Sequence, residues 1–209
     1  MGKSNILLLL LPLLISVILA EDDIASKFEI FEIVPDVLKE IPKNLIKVSI
    51  KYPSGVEVNY GNELTPTQVK DIPSVTWDAN VDDYYTLLMI DPDAPSRQDH
   101  DFAEVKHWLV VNIPGTTVDK GEIIAEYIGS GPPEDTDLHR YIFLIYSQPN
   151  GKIDFSKEPK SDKETARNRF LFSTAEFTKK YSLELIGGNF YQAQYDEYVT
   201  ILLNQFKDM

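Results

Sequence analysis

The chain has 209 residues, 43% of them apolar, and a formal charge of −13 at pH 7. That is enough length and apolar content for a large domain with its own core. The acid excess sets the chain against nucleic acid and anionic lipid surfaces, so neither is expected as a partner, and the lack of any cysteine removes disulfides and thiol chemistry.

Residues 1–20 differ in kind from the rest. Lys3 gives a positive start, residues 6–14 are apolar throughout, and Ala20 precedes the acidic Glu21-Asp22-Asp23. That order reads as a secretory signal cleaved after Ala20. A membrane anchor fits less well, because the apolar run falls short of the roughly 20 residues that span a bilayer and no basic flank follows it. The expectation is a signal peptide over 1–20 and one domain over 21–209, secreted to the extracellular space without a stable membrane anchor. Removing Lys3 makes the mature chain more negative still. No Asn-x-Ser/Thr acceptor occurs, so N-glycosylation is not expected.

Residues 24–34 carry apolar positions near helical spacing, and Pro35 limits that helix. Residues 45–50 and 56–60 alternate apolar with polar around Pro53-Ser54-Gly55, which predicts a hairpin. Further strands are expected over 74–77, 84–90, 108–113 and 141–146. The last three are nearly continuous apolar runs, as in strands covered on both faces. Near the C-terminus, Ser173 or Thr174 can cap a helix running to 181. Asp196 can cap another, whose stripe of Val199, Leu202, Leu203 and Phe206 reads as packing. Many strands followed by terminal helices predict a mainly β domain with peripheral α elements.

The chemistry collects at the ends of the apolar strands. In Asp91-Pro92-Asp93-Ala94-Pro95-Ser96-Arg97, two prolines fix φ and remove two N–H donors, so the carboxylates of Asp91 and Asp93 are held rigidly. The competing reading is an ordinary turn in which each Asp caps its own backbone. Gly129-Ser130-Gly131 can aim successive N–H groups at one point as an anion nest, and Pro132-Pro133 stiffens its exit. Of three histidines, His107 and His139 open apolar strands beside these motifs. A carboxylate next to either would orient its ring and favour its charged form. A hydrolytic triad of Asp91, His107 and Ser130 lacks the Gly-x-Ser-x-Gly elbow, and a zinc site from His100, His107 and His139 lacks ligand spacing. No catalytic residue, metal ligand or cofactor is therefore assigned, and the chain reads as a binding protein rather than an enzyme.

Taken in order, Asp91-Pro-Asp-Ala-Pro-Ser-Arg97, His107 opening a strand, Gly129-Ser-Gly-Pro-Pro133 and Leu138-His-Arg-Tyr141 resemble the phosphatidylethanolamine-binding protein (Raf kinase inhibitor protein) family. Leu64-Thr-Pro-Thr-Gln-Val-Lys70, Tyr191-Gln-Ala and Asp196-Glu-Tyr-Val199 extend the match over essentially the whole mature chain. The resemblance implies a large antiparallel β-sheet packed on a smaller one, a β-sandwich with peripheral and C-terminal helices. It implies a strand-end pocket for phosphate-type groups, including the phosphatidylethanolamine head, or for another small anionic or hydrophobic ligand. Asp91, Pro95, His107, Gly131, Pro132 and His139 should line that pocket, with Asp93, Gly129 and Tyr141 completing the ligand-binding set and a cis bond at Ala94–Pro95. The resembled family also inhibits kinases and serine proteases. With a secretory address, the alternative partner is an extracellular serine protease, and the expected state is a monomer. Phe102 stands where mammalian relatives carry a tyrosine, Asp137 replaces a usual glycine, and Leu203 replaces a C-terminal tyrosine.

Overall fold

The nearly continuous apolar runs at 84–90, 108–113 and 141–146 become the central strands. The computed structural model describes residues 24–207, so the signal expected over 1–20 lies outside the described residues. Strands β4 (Tyr84–Asp91), β5 (Val105–Pro114) and β7 (His139–Ser147) are buried almost end to end. Successive side chains of a strand point to opposite faces, and here both faces are covered. Leu87, Met89, Trp108, Val110, Tyr141 and Phe143 enter one core. Their neighbours Leu88, Ile90, Leu109, Val111, Ile142 and Leu144 enter another, built with Phe28, Phe155 and Phe177.

The other strands are β1 (Ile46–Lys51), β2 (Asn62–Glu63), β3 (Ser74–Trp77), β6 (Glu122–Ala125) and β8 (Glu184–Ala193). They join in the order β3-β1-β8-β7-β4-β5-β6, with β2 also on β8. From β8 to β6 the pairing is antiparallel, while β1 and β2 add to β8 in parallel. The fold is β-rich, as expected, and β1 and β3 bury Val48, Ile50, Val75 and Trp77 in the same core as Leu87, Trp108 and Tyr141 of the large sheet. A two-residue parallel ladder, Ile46 opposite Gly187 and Lys47 opposite Gly188, carries the large sheet into them as one mixed, curled sheet.

Two local expectations change. Residues 56–60 form no strand. The expected hairpin still closes, the Tyr52 N–H donating to the Val56 carbonyl at 2.9 Å and the Val58 N–H to that of Ile50 at 3.1 Å around a single Lys51–Glu57 bridge, and the longer ladder of β1 runs to β3, Val48 opposite Trp77. Strand β8 escapes the sequence patterns because Gly187-Gly188 interrupts its apolar run. A Cβ on Gly187 would lie 2.7 Å from the Ile46 carbonyl oxygen, and one on Gly188 would lie 2.7 Å from that of Phe143.

Helix α1 (Ile24–Ile30) is followed by the kinked turn α2 (Ile33–Asp36), where Val34 is extended ahead of Pro35. Helix α3 (Thr174–Tyr181) is capped by Ser173 Oγ, which accepts from the Glu176 N–H at 3.2 Å. Ahead of α4 (Tyr198–Leu203), Asp196 Oδ1 accepts from the Tyr198 N–H at 3.0 Å. Among the described residues no helix is long and apolar enough to cross a membrane. Antiparallel pairing sets the end of β4 beside the starts of β5 and β7, with Asp91 opposite Val105, so residues distant in sequence meet at one sheet end.

Candidate ligand pocket

The turn after β4 holds its two carboxylates for different purposes. Asp91 Oδ1 accepts from the Asp93 N–H at 2.7 Å, and Asp91 Oδ2 sits 2.9 Å from His139 Nδ1. On the other side of the ring, His139 Nε2 is 3.0 Å from Thr136 Oγ1, whose single proton goes to the Pro133 carbonyl at 2.8 Å. Nδ1 donates to the Asp91 carboxylate, which favours the charged form of the ring over the neutral one. Its pKa responds in that direction. Burial opposes the charge, but the hydrogen bond and charge of Asp91 outweigh it and raise the value above the ordinary histidine range.

Asp93 is committed elsewhere. Its Oδ2 accepts from the Arg140 backbone N–H at 2.8 Å and from Nε at 2.9 Å, and its Oδ1 accepts from Nη2 at 2.6 Å. Arg140 also donates to the Phe31 carbonyl at 2.8 Å and pairs with Asp36 at 2.8 Å. The Ala94–Pro95 bond that follows is cis, as the resemblance implied.

His107 differs from His139. Its Nδ1 lies 3.2 Å from the Ile128 carbonyl and 3.1 Å from that of Gly129, two groups that can only accept, so Nδ1 carries the proton. Burial pushes its pKa down to about 4, leaving Nε2 as a bare lone pair at neutral pH. The ring packs edge-on against Tyr141, 5.2 Å between centroids.

These groups floor a cavity of about 230 Å³. Asp91, His107, Gly131 and His139 form its polar end. Phe102, Phe170, Leu202, Leu203 and Phe206 form apolar walls and mouth. Phe102, Phe170 and Leu203 remain substantially exposed, so the mouth is open and greasy. Arg169 also lines the cavity, although its guanidinium is turned to backbone carbonyls of residues 106, 107, 126, 162 and 165.

Of the residues expected in the ligand set, Asp91, Pro95, His107, Gly131 and His139 converge on the cavity; Asp93, Gly129, Pro132 and Tyr141 stand behind it. Pro133, rather than Pro132, reaches its lining. Gly129 presents its carbonyl to His107, and its missing Cβ admits the Val69 carbonyl, which would otherwise lie 2.9 Å away. Tyr141 Oη accepts from the Gly131 N–H at 3.2 Å. Neither Gly129 nor Gly131 has a positive φ, and that N–H is spent on Tyr141, so the anticipated anion nest does not form.

Ser130 Oγ is sealed from solvent and makes no hydrogen bond to His107, and Asp91 serves His139, so the Asp91–His107–Ser130 relay is not assembled. Among the described residues no three His, Asp or Glu side chains are grouped to hold a metal. The stripe on α4 packs through Val199, but Leu202, Leu203 and Phe206 also wall the cavity, which packing alone did not anticipate. Arg169 and Phe170 carried no sequence signal. Asp137 is exposed, lies outside the cavity and has φ 59°, a conformation suited to the glycine of relatives.

A curled β-rich sheet with a carboxylate–histidine pair at one strand end defines a protein of the phosphatidylethanolamine-binding type. The family model described as phosphatidylethanolamine-binding protein matches residues 54–192, and the chain belongs to this family. It is 39% identical over 173 residues, 82% of this chain and 80% of the relative, to putative odorant-binding protein A5 of Drosophila melanogaster. The solution structure of CG7054 is 46% identical with a TM-score of 0.67, covering 83% of this chain and 97% of that one. A phosphatidylethanolamine-binding protein from Plasmodium vivax is 26% identical with a TM-score of 0.70, covering 82% and 97%. A carboxypeptidase Y inhibitor, solved with its cognate proteinase, shares the fold at 24% identity and a TM-score of 0.73, covering 87% and 98%.

Proposed function

We propose that the protein is an exported, non-enzymatic carrier that holds one small amphiphile in the strand-end cavity. The head group sits on Asp91, His107 and His139, and the apolar body lies against the walls. The observation that carries this reading is the cavity's composition: a few convergent polar groups at the closed end and aromatic and aliphatic side chains at the open one. A phosphate-type head such as phosphoethanolamine, expected from the family, is one occupant; an alcohol or other small polar head on an apolar body is another. The leader over 1–20 supports export, and the acid excess keeps the carrier off anionic membranes.

The test is to express the full chain in cultured cells, recover it from the medium and record native mass spectra. A retained small molecule, or saturable binding of an apolar fluorescent probe abolished by Leu203→Trp at the cavity wall, is expected. Retention of the chain in cell membranes would overturn the export reading. Protein that carries no molecule and binds no probe would overturn the carrier reading in favour of inhibition through the surface.

A further inference from the structure

A second cavity, of about 670 Å³, shares no lining residue with the strand-end site. Its volume falls in the range of small-molecule sites. One wall is the connection 37–43 between α2 and β1, and the other is the face of α3 that carries Ala175, Thr178 and Lys179. Tyr146, Leu183 and Leu185 complete the lining, near the end of β7 opposite to His139. Val37, Leu38 and Ile41 give the first wall an apolar side.

The charge in this lining runs against that of the chain. The sequence carries 33 acidic and 20 basic residues, yet the cavity is lined by Lys39, Lys43 and Lys179 against Glu40 alone. All three lysines are exposed, and among the described residues none of them has an ion-pair partner. Lys180 differs, being paired with Glu158. The nearby acids Glu176 and Glu184 stay outside the lining. A place in the last turn of α3 suits the helix dipole and accounts for Lys179. It does not account for Lys39 and Lys43, which lie in no helix and on the facing wall.

Tyr146 is a separate signal. It is 3% exposed, and its hydroxyl has no hydrogen-bond partner among the described residues. Burial raises its pKa, so the hydroxyl stays protonated and is a donor with nothing to donate to. A buried donor without an acceptor is costly, and a ligand oxygen in this cavity would supply one. Walls and floor therefore ask the same of a ligand: accepting oxygens with negative charge, next to an apolar body.

We propose that this cavity is a second binding site, for an anionic amphiphile of the long-chain carboxylate class, its acid group held among Lys39, Lys43 and Lys179 and its chain on Leu38, Leu183 and Leu185. The proposal is independent of the strand-end carrier reading.

Calorimetric titrations at pH 7.5 and low salt test it with decanoate, decan-1-ol and decylammonium, each below its aggregation limit. The protein is expressed from the full chain with Leu203→Trp, which obstructs the strand-end cavity. Decanoate is expected to bind about tenfold more tightly than the alcohol, with the ammonium weakest. Lys39→Gln, Lys43→Gln and Lys179→Gln together should bring decanoate down to the alcohol and leave the alcohol unchanged. Salt at 0.5 M should narrow the same gap in the parent. Ala175→Trp, at an exposed helical position of the wall, should abolish binding of all three probes. Decanoate no tighter than decan-1-ol, an acid preference that survives the lysine substitutions, or binding that survives Ala175→Trp overturns the proposal. No binding by the Leu203→Trp protein overturns it too, and leaves the carrier reading standing, because that reading is tested on the unmodified chain.

Discussion

Asp93 was expected in the ligand set, and the structure makes it a clamp, so the two roles give opposite results when it is changed. Asp93→Asn keeps size and removes charge. Arg140 and Asp93 are both sealed from solvent, and three Arg140 N–H groups, one backbone and two guanidinium, point at the two carboxylate oxygens at 2.6–2.9 Å. An asparagine replaces one acceptor with an NH₂ that faces another donor. Removing one partner of a buried ion pair costs about 3–5 kcal/mol, because the remaining charge stays buried. Asp36, about one-third exposed, still meets the guanidinium at 2.8 Å, which places the loss near the lower end, about 3 kcal/mol.

Urea unfolding followed by tryptophan fluorescence should show the midpoint falling by roughly 1.5 M if m is on the order of 2 kcal/mol/M. Arg140→Met in the Asp93→Asn background should recover most of the loss, since neither charge then remains buried. Probe affinity of the folded fraction should not change. A loss below about 1 kcal/mol, or weakened probe binding at unchanged stability, would refute the clamp and return Asp93 to the ligand set.

Acid should destabilise the fold through His107. Its folded pKa of about 4 lies below the unfolded value, so the unfolded chain takes up the proton first and stability falls as pH drops from about 6.5 to 4, by up to roughly 3 kcal/mol. Denaturation at pH 4.5 and 7 should show that slope flattened in His107→Phe. His139 contributes with the opposite sign, its stabilisation being complete below about 6.5 and lost as pH rises through its raised folded value. Gly188→Ala should cost on the order of 2 kcal/mol in a thermal or urea melt, because its Cβ meets the Phe143 carbonyl at 2.7 Å and Phe28 Cζ at 2.9 Å. Phe206→Ala, at a half-buried wall position, should weaken an apolar probe several-fold and barely move stability. Arg169→Lys should lower the melting temperature by several degrees, since a lysine cannot serve five carbonyls. An unchanged melt with altered phosphate affinity would instead make Arg169 a ligand group.

The central strands were legible because both of their faces are buried, which leaves nearly continuous apolar runs at 84–90, 108–113 and 141–146. What failed was non-local. Alternation around Pro53-Ser54-Gly55 pointed to a partner for β1 close in sequence, which forms only as a short pairing of 50–52 with 56–58, while the ladders of β1 run to β3 and β8, outside that window. Strand β8 hides behind two glycines whose reason is the approach of other backbones, information absent from its own window. In the pocket, Asp91, His107 and His139 announced themselves as ionisable groups on apolar strand ends. Asp93 looked equivalent to Asp91 because only tertiary contacts distinguish them, and the protonation pattern of His107 depends on carbonyls some twenty residues away.

The same contacts explain why the Asp-Pro-Asp turn and the Leu-His-Arg-Tyr segment belong together. His139 and Arg140 are neighbours at the start of β7 and point to opposite faces of the sheet. Asp91 and Asp93 meet them one to one. One pair makes the floor of the cavity. The other ties the turn to the N-terminal segment through Phe31 and Asp36. Asp91 faces a histidine whose charged form it favours, and Asp93 faces an arginine it shares with Asp36. Moving the turn would break both pairs at once, in a region where unpaired charge is costly. A ligand head therefore meets a floor already fixed in geometry and protonation, so little ordering of the floor is left to oppose binding.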